Sequence, residues 1–344
     1  MAISKNKRRY WGIIAPLMPA DMLAQAAKQQ EDMGLEGTFA AQVYGPPWIS
    51  LAAAATATSR LQLASGVALA FTRSPFETAM AAMDLDRISS GRFVLGLGPT
   101  VRSWCQGIFG MPYGKPLEHL REAVEVIRLI IAKSHTGELK NFKGKYYEMD
   151  FSEFQPLAEP VRTNLPIWLS ALRGPIIELG AEIAEGIASH PIWSIHWATS
   201  VMPKHLKIGL DRAGKQRSDV HVNCWFWMTP NTDVKQSIED ARATVAFYGG
   251  VEQYEEYFAA HGFREEAKKL QEGVKRGDYR SVAHLVPDEM ASTFVVTGTP
   301  DEVAKKIEPV WEFADSMCLV PPVLTLPPEK SLAYFATIAQ TFYA

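Results

Sequence analysis

The chain of 344 residues has little cysteine: Cys105, Cys224 and Cys318, odd in number and far apart. Such a set supports neither a disulfide framework nor a zinc site, and a reducing cytoplasm is the expected compartment. Long apolar runs are missing as well. Nothing approaches the roughly 20 consecutive apolar residues that a membrane-spanning helix needs. The segment Trp11–Met18 follows a basic start, but Pro16 and Pro19 interrupt it and Asp21 stands where a cleavage region would lie. It reads as a first buried strand and not as a leader. Excess charge of one sign is absent too. A net charge of -3 argues against nucleic-acid and membrane-surface partners, and the one basic cluster (Lys5, Lys7, Arg8, Arg9) reads as a solvated arm. No carboxylate pair, no Ser-His-Asp order and no clustered metal ligands stand out, so no metal is expected.

What is present is ample apolar material, 47% of residues, arranged in a repeating rhythm. Short apolar runs alternate with stretches of helical period, the pattern of repeated βα units. The runs are Tyr10–Ala15, Gly37–Gln42, Leu61–Phe71, Arg92–Gly98, Leu165–Ala171, Gly186–His190, Val220–Thr229 and Ser316–Val320. Helices are predicted over Pro19–Met33, Trp48–Thr58, Pro75–Ile88, Leu117–Ile131, Pro175–Ala184, Ser200–Ala213 and Ser331–Phe342. Eight strands with helices between them predict a (β/α)8 barrel, with residues 1–344 as one domain. Two insertions depart from the rhythm. A hairpin is predicted around Phe142–Tyr147, and a charged helical excursion over Asp233–Met290 separates the seventh and eighth strands. That excursion is expected to cover the strand ends. Beyond it, Thr299 as N-cap, Pro300 at the first helical position and Glu302 at the third predict a further outer helix.

In a parallel barrel the site lies at the C-terminal ends of the strands. The residues found there are Ala15-Pro16, Gln42–Gly45, Ala68–Arg73, Gly98-Pro99-Thr100, Ser170–Pro175, His190, Trp227–Pro230 and Val320–Pro322. Arg73 and Arg173 are the only charges among them. Such a mouth suits a large, flat organic cofactor and an apolar small-molecule substrate better than acid–base hydrolysis. Tyr44 and Trp104 are pocket candidates because they fall beyond strand ends. His190 ends a strand before Pro191 and is a candidate lining residue. The segment Ser170, Ala171, Leu172, Arg173, Gly174, Pro175 runs from strand into helix. Free backbone N–H groups, a glycine and an arginine at that turn are the ingredients of a phosphate cradle. Leu95-Gly96-Leu97-Gly98 lacks the third glycine of a dinucleotide fingerprint.

Several blocks resemble the luciferase-like superfamily of flavin- or deazaflavin-dependent oxidoreductases. They are Thr58–Leu61 through Gly66–Leu69 with Thr72–Pro75, then Asp84–Phe93 with Leu95–Gly98. Pro166–Ala171 with Gly174-Pro175, and Thr297–Val303, extend the likeness over nearly the whole chain. The resemblance implies a barrel that binds FMN or a deazaflavin coenzyme of the F-420 type. It also implies that the third strand ends in a bulge behind the ring, with a cis peptide between Gly66 and Val67, so Gly66, Val67, Ala68, Gly98 and Thr100 join the expected cofactor site. A homodimer is expected. Deazaflavin-using dehydrogenases of the superfamily often carry a histidine just after the second strand; here the segment reads Gln42-Val43-Tyr44-Gly45. Tyr44 is therefore the catalytic candidate, as a proton donor. FMN-dependent monooxygenation, deazaflavin-dependent hydride transfer and a non-catalytic flavin-binding barrel all remain open at this point.

Overall fold

The computed structural model describes residues 8–15 and 18–343. The first half of the chain contains β1 (Tyr10–Ile14), α1 (Ala20–Asp32), β2 (Gly37–Ala40), α2 (Trp48–Ala57), β3 (Gln62–Ser65) and β4 (Ala68–Leu69). Next come α3 (Pro75–Ile88), β5 (Phe93–Gly98), α4 (Pro116–Lys133), β6 (Phe142–Lys143) and β7 (Glu148–Met149). The second half begins with β8 (Ile167–Ala171), α5 (Gly174–Ile183), β9 (Gly186–Ser189), α6 (Met202–Ala213) and β10 (His221–Pro230). It continues through α7 (Val234–Gly249), α8 (Glu255–Ala259), α9 (Arg264–Lys275) and α10 (Asp288–Phe294). The chain closes with β11 (Val296–Gly298), α11 (Pro300–Ile307), β12 (Ser316–Val320) and α12 (Pro328–Ile338).

Among the described residues, eight strands close on themselves in parallel: β1, β2, β3, β5, β8, β9, β10 and β12, with β12 returning to β1. This is the predicted (β/α)8 barrel. One predicted strand is divided. The run Leu61–Phe71 breaks after Ser65, and β4 resumes it by pairing Ala68 with Leu97 and Leu69 with Gly98. The side chain of Ser65 causes the break locally, because its Oγ accepts from the Gly96 N–H at 2.9 Å and donates to the Gly96 carbonyl at 2.8 Å. A ladder satisfied by a hydroxyl leaves the next two residues free to bulge. A strand over Val296–Gly298 was not expected from the apolar rhythm. It extends the far end of β10, with Met228 opposite Val296 and Pro230 opposite Gly298.

Aromatic rings fill the barrel interior. Trp11 lies 4.7 Å from Phe39 and 5.2 Å from Trp168 between ring centroids, and Phe39 stacks on Trp225 at 5.3 Å. Gly37 and Gly186 face these rings, and a Cβ at either would collide with the indole of Trp11 or Trp168. Below them His221 stacks on Trp168, and Glu36 accepts from the Trp11 indole N–H at 2.7 Å. Arg8 and Arg9 are solvent-exposed, as expected, but tied to the barrel: Arg8 pairs with Glu308, and Arg9 holds Glu36 at 3.0 Å and the Asp315 carbonyl at 3.0 Å. Both are recruited by acidic groups around the N-terminal ends of the strands. Lys5 and Lys7 lie outside the described residues.

The outer helices bury one stripe each. In α4, Leu120, Ala123, Val124, Ile127, Ile130 and Ile131 recur at spacings of three and four and pack on the sheet. Glu31 of α1 does a different job. Its carboxylate accepts the backbone N–H groups of Ser59, Arg60 and Leu61 at 2.9, 2.6 and 2.9 Å, which fixes the entry to β3. Burial alone would raise its pKa, but the three donors outweigh burial and hold it at about 2. A depressed carboxylate adds stability that is complete above its unfolded value, about 4.3, and is lost as pH falls toward the folded value. Denaturant unfolding at neutral pH and at about pH 3 should therefore show a steeper acid loss for the wild type than for Glu31→Gln. Equal acid losses would remove this role from Glu31.

The excursion after β10 packs on the face where the strands end. Tyr257 Oη accepts from the Ser194 N–H at 3.0 Å and donates to the Ile192 carbonyl at 3.0 Å, both beyond β9. Gln253 accepts from the Arg102 N–H at 2.7 Å, beyond β5, and Thr244 meets Thr325 at 2.5 Å, beyond β12. Its N-terminal helix is held by Asp240, which binds Lys330 at 2.6 Å and Tyr334 at 2.8 Å on α12. The capping box expected at Thr299 and Glu302 is present in both directions.

Candidate active site

The bulge after β3 organises the mouth of the barrel. The Gly66–Val67 peptide is cis. Gln42, just past β2, is its clamp: the Gln42 N–H donates to the Val67 carbonyl at 3.4 Å, and Oε1 accepts from the Leu69 N–H at 3.0 Å and from Arg73 at 3.1 Å. Sequence reasoning placed Gln42 at a strand end without giving it a role. The available signal was a polar side chain, now found buried, directly after an apolar strand. Arg73 in turn lies over the Trp48 ring, 5.4 Å from its centroid.

Three of the expected cofactor residues converge here. A Cβ on Gly98 would collide with Ser170 Oγ and crowd the Val67 side chain, so the bulge, the end of β5 and the end of β8 are in mutual contact. Ala68 and Thr100 are buried beside them. Ala171 joins the group through its carbonyl, which accepts the His190 N–H at 2.9 Å, and the Leu172 carbonyl accepts the Trp193 indole N–H at 3.0 Å.

His190 is held from both ring nitrogens. Nδ1 accepts from the Ile192 N–H at 3.3 Å, and Nε2 lies 3.4 Å from Tyr254 Oη. The ring stands edge-on to Tyr248 and Tyr254, at 5.0 and 5.3 Å. Burial pushes its pKa down to about 3, so the imidazole is neutral at physiological pH. Burial also pushes the Tyr254 phenol up to about 12, with Arg173 opposing. The two tyrosines come from the excursion, which sequence periodicity could not aim at the mouth.

The phosphate-cradle candidate has the expected backbone and a different neighbour. Arg173 is the N-cap of α5, exposed, with Pro175 in the first turn; the Arg173 carbonyl takes the Ile176 and Ile177 N–H groups at 3.2 Å. The sequence suggested that Gly174 is needed so that a ligand can approach. In the structure the space beside its Cα is filled by the His205 ring, which a Cβ would strike. His205 comes from α6 and is bonded through Nδ1 to Glu178 at 2.7 Å. Gly174 is thus required by helix packing, a reason invisible without the α5–α6 contact.

Tyr44 is not drawn into the bulge cluster. It is 60% exposed on the rim and stacks on Trp104 at 5.4 Å, with ring planes 27° apart.

A family model described as luciferase-like monooxygenase matches residues 7–314. The chain belongs to the luciferase-like monooxygenase family. It is therefore an oxidoreductase, built on the barrel and bulge described above. Within this family an uncharacterised protein of Mycobacterium tuberculosis is 32% identical over 285 residues, covering 82% of this chain and 84% of the relative. A 5,10-methylenetetrahydromethanopterin reductase of Archaeoglobus fulgidus is 30% identical, covering 81% and 83%. Among solved structures, the coenzyme F420-dependent tetrahydromethanopterin reductase of Methanopyrus kandleri superposes with a TM-score of 0.80. Sequence identity to it is 23%, and the match covers 97% of this chain and 98% of that one. This last likeness concerns the luciferase-like fold.

Proposed function

We propose that this luciferase-like oxidoreductase uses a deazaflavin coenzyme for hydride transfer with an apolar small organic substrate. The observation that carries the choice of reaction is the 30% identity, over four-fifths of both chains, to a protein named as a reductase. A structural neighbour named for coenzyme F420 supports the choice of coenzyme. The residues present suit such a group. Val67, Ala68, Gly98, Thr100, Ser170 and Ala171 supply a compact floor without charge, and the Leu172–Pro175 turn with Arg173 supplies a positive helix end for a phosphate. When bound, the coenzyme supplies or accepts the hydride.

In this reading the chain's own residues position and shield. Gly66 and Val67 back the ring, with Gln42 holding the bulge. His190, neutral and held by Ile192 and Tyr254, lines the mouth without a charge that would attract water. The excursion over 233–290 acts as a lid on one barrel domain spanning 1–344, and its exclusion of water protects the reduced ring. Tyr44 serves as proton donor at the rim. The enzyme is cytoplasmic and dimeric, and takes no nucleic-acid or membrane partner; among the described residues no helix is long and apolar enough to cross a membrane.

The alternative cofactor is FMN, with oxygen as co-substrate. Absorbance and fluorescence titrations with both cofactors separate the two readings. The expected result is deazaflavin affinity at least about tenfold above that for FMN, a difference of about 1.4 kcal/mol. Tighter binding of FMN would transfer the assignment to the monooxygenase side.

A further inference from the structure

His190 and Tyr254 reach the barrel mouth from different parts of the chain. Gly186 at the start of β9 faces the interior, since a Cβ there would strike the Trp168 indole. Side chains two and four residues further along face the same way, so His190 points toward the barrel axis just beyond the strand end. Its N–H bonds the Ala171 carbonyl at 2.9 Å and continues the ladder. Tyr254 comes from the excursion, at the end of the short turn Glu252–Tyr254 that precedes α8. Its neighbours brace it on both sides. Gln253 accepts from the Arg102 N–H at 2.7 Å and donates to Tyr113 Oη at 3.3 Å, and Tyr257 bonds to Ser194 and Ile192. The Tyr248 ring lies 6.4 Å from that of Tyr254 with 20° between their planes, and it also lines a small apolar notch with Trp227, Phe247 and Leu324.

The direction of the bond between His190 and Tyr254 follows from the other end of the imidazole. His190 Nδ1 takes the Ile192 N–H at 3.3 Å and is therefore the bare nitrogen. A neutral imidazole carries one proton, which leaves it on Nε2. Nε2–H then donates to Tyr254 Oη at 3.4 Å. The reverse arrangement would place the proton on Nδ1 and set two donors face to face. Tyr254 thus receives a hydrogen bond and keeps its own O–H. Among the described residues no acceptor other than His190 lies within hydrogen-bond distance of that hydroxyl. Burial keeps the phenol protonated at physiological pH, so it is a donor and not a base. A part-buried donor without an acceptor is uncommon, and here it stands at the mouth of the barrel.

We infer that the Tyr254 hydroxyl donates a hydrogen bond to an oxygen of the substrate, with His190 as the positioning residue that fixes the direction of that hydroxyl. This rests on the hydride-transfer reading above and narrows its substrate to a carbonyl compound with an apolar body. As hydride from the reduced deazaflavin forms the new C–H bond, the π pair of the carbonyl moves onto oxygen. A donor already aimed at that oxygen stabilises the charge it gains. The role is distinct from that of Tyr44, which supplies the proton from the rim. Tyr254 polarises the carbonyl without giving its own proton up.

Two measurements test this on the whole protein without coenzyme. Nitrogen NMR of the labelled imidazole reads the tautomer in the wild type, and the proton should sit on His190 Nε2 at neutral pH. Infrared difference spectra of carbonyl-labelled cyclohexanone bound to the protein read the contact itself. The carbonyl band should lie at lower frequency in the wild type than in Tyr254→Phe. Affinity for the ketone should fall roughly three- to tenfold in that variant, the worth of one neutral hydrogen bond. His190→Phe should lose part of the band displacement, and His190→Gln, which restores an N–H donor, should regain it. An unchanged denaturant midpoint shows that Tyr254→Phe is folded. A proton on Nδ1, a wild type that does not bind the ketone, or the same band in wild type and Tyr254→Phe would each overturn the proposal. Tighter binding of FMN than of deazaflavin would overturn the hydride-transfer reading instead, and the band displacement answers separately.

Discussion

Replacing Arg173 with alanine should weaken coenzyme binding by about ten- to a hundredfold. Arg173 is exposed at the N-cap of α5, where Pro175 has no N–H and the Ile176 and Ile177 N–H groups go to the Arg173 carbonyl, which leaves the Gly174 N–H as the first-turn donor without an intrahelical partner. A helix end carries roughly half a positive charge, and an arginine–phosphate contact adds a charge-assisted bond worth about 1.5–3 kcal/mol. The upper part of that range is reduced here because the side chain is exposed and screened. A deazaflavin chromophore lacking the phosphate provides the control, since its affinity should be the same for both proteins. If Arg173→Ala binds the intact coenzyme as the wild type does, the phosphate lies elsewhere and this turn only starts a helix. Substitutions at Gly174 are a poorer probe. Any side chain there strikes His205 and disturbs its bond to Glu178, so lost affinity could not be assigned to the phosphate.

Two glycines on β5 should respond very differently to alanine. A Cβ at Gly96 would collide with the backbone oxygen of Ser65, which cannot rotate away. The strand carrying the bulge would have to move, and with it the two bonds between Ser65 and Gly96. Overpacking of this kind costs about 1–3 kcal/mol, and the backbone obstacle places Gly96→Ala at the top of that range. Gly98→Ala meets the Ser170 hydroxyl, which can change rotamer, and the Val67 side chain, which backs the bulge. Its stability should fall by less, about 1 kcal/mol, while its affinity for coenzyme falls along with the first variant's. Denaturant midpoints measured beside coenzyme titrations separate the two effects. Unfolding at the same midpoint for Gly96→Ala and wild type would show that the strand spacing yields more easily than the close contact implies.

The architecture could be read from the chain because every barrel strand is a short apolar run next to a helical period. What escaped reading was set by contacts between distant segments. The break after Ser65 depends on a hydroxyl bonding to Gly96 across the ladder, thirty-one positions along the chain. Val296–Gly298 has no strand signal of its own and becomes one by lying along the end of β10. The predicted helix from Ser200 begins two residues later, at Met202, after a wider turn over Trp197–Val201.

The candidate site divides in the same way. Ser170, Ala171, Gly98 and His190 could be placed because position at a strand end is a local property. Gln42 could be placed but not interpreted, since its partners Val67, Leu69, Thr72 and Arg73 belong to another βα unit. Tyr248 and Tyr254 could not be placed because the excursion brings them in from outside the rhythm, and His205 lies on a predicted helix whose packing against Gly174 of α5 the sequence does not show. The family likeness supplied the bulge at Gly66 and Val67, which composition and periodicity would have passed over.

The ring cluster of Trp11, Phe39, Trp168 and Trp225 makes the barrel a vessel with a floor, and traffic through it is consequently one-way in space. Among the described residues, Glu36 and His221 pack beneath the indoles at the other end. In the coenzyme reading proposed above, a coenzyme seated against the bulge and a substrate share one doorway, so the coenzyme enters first and leaves last. On that reading the rim residues of the excursion stand beside the path of exchange even where they touch no reacting atom.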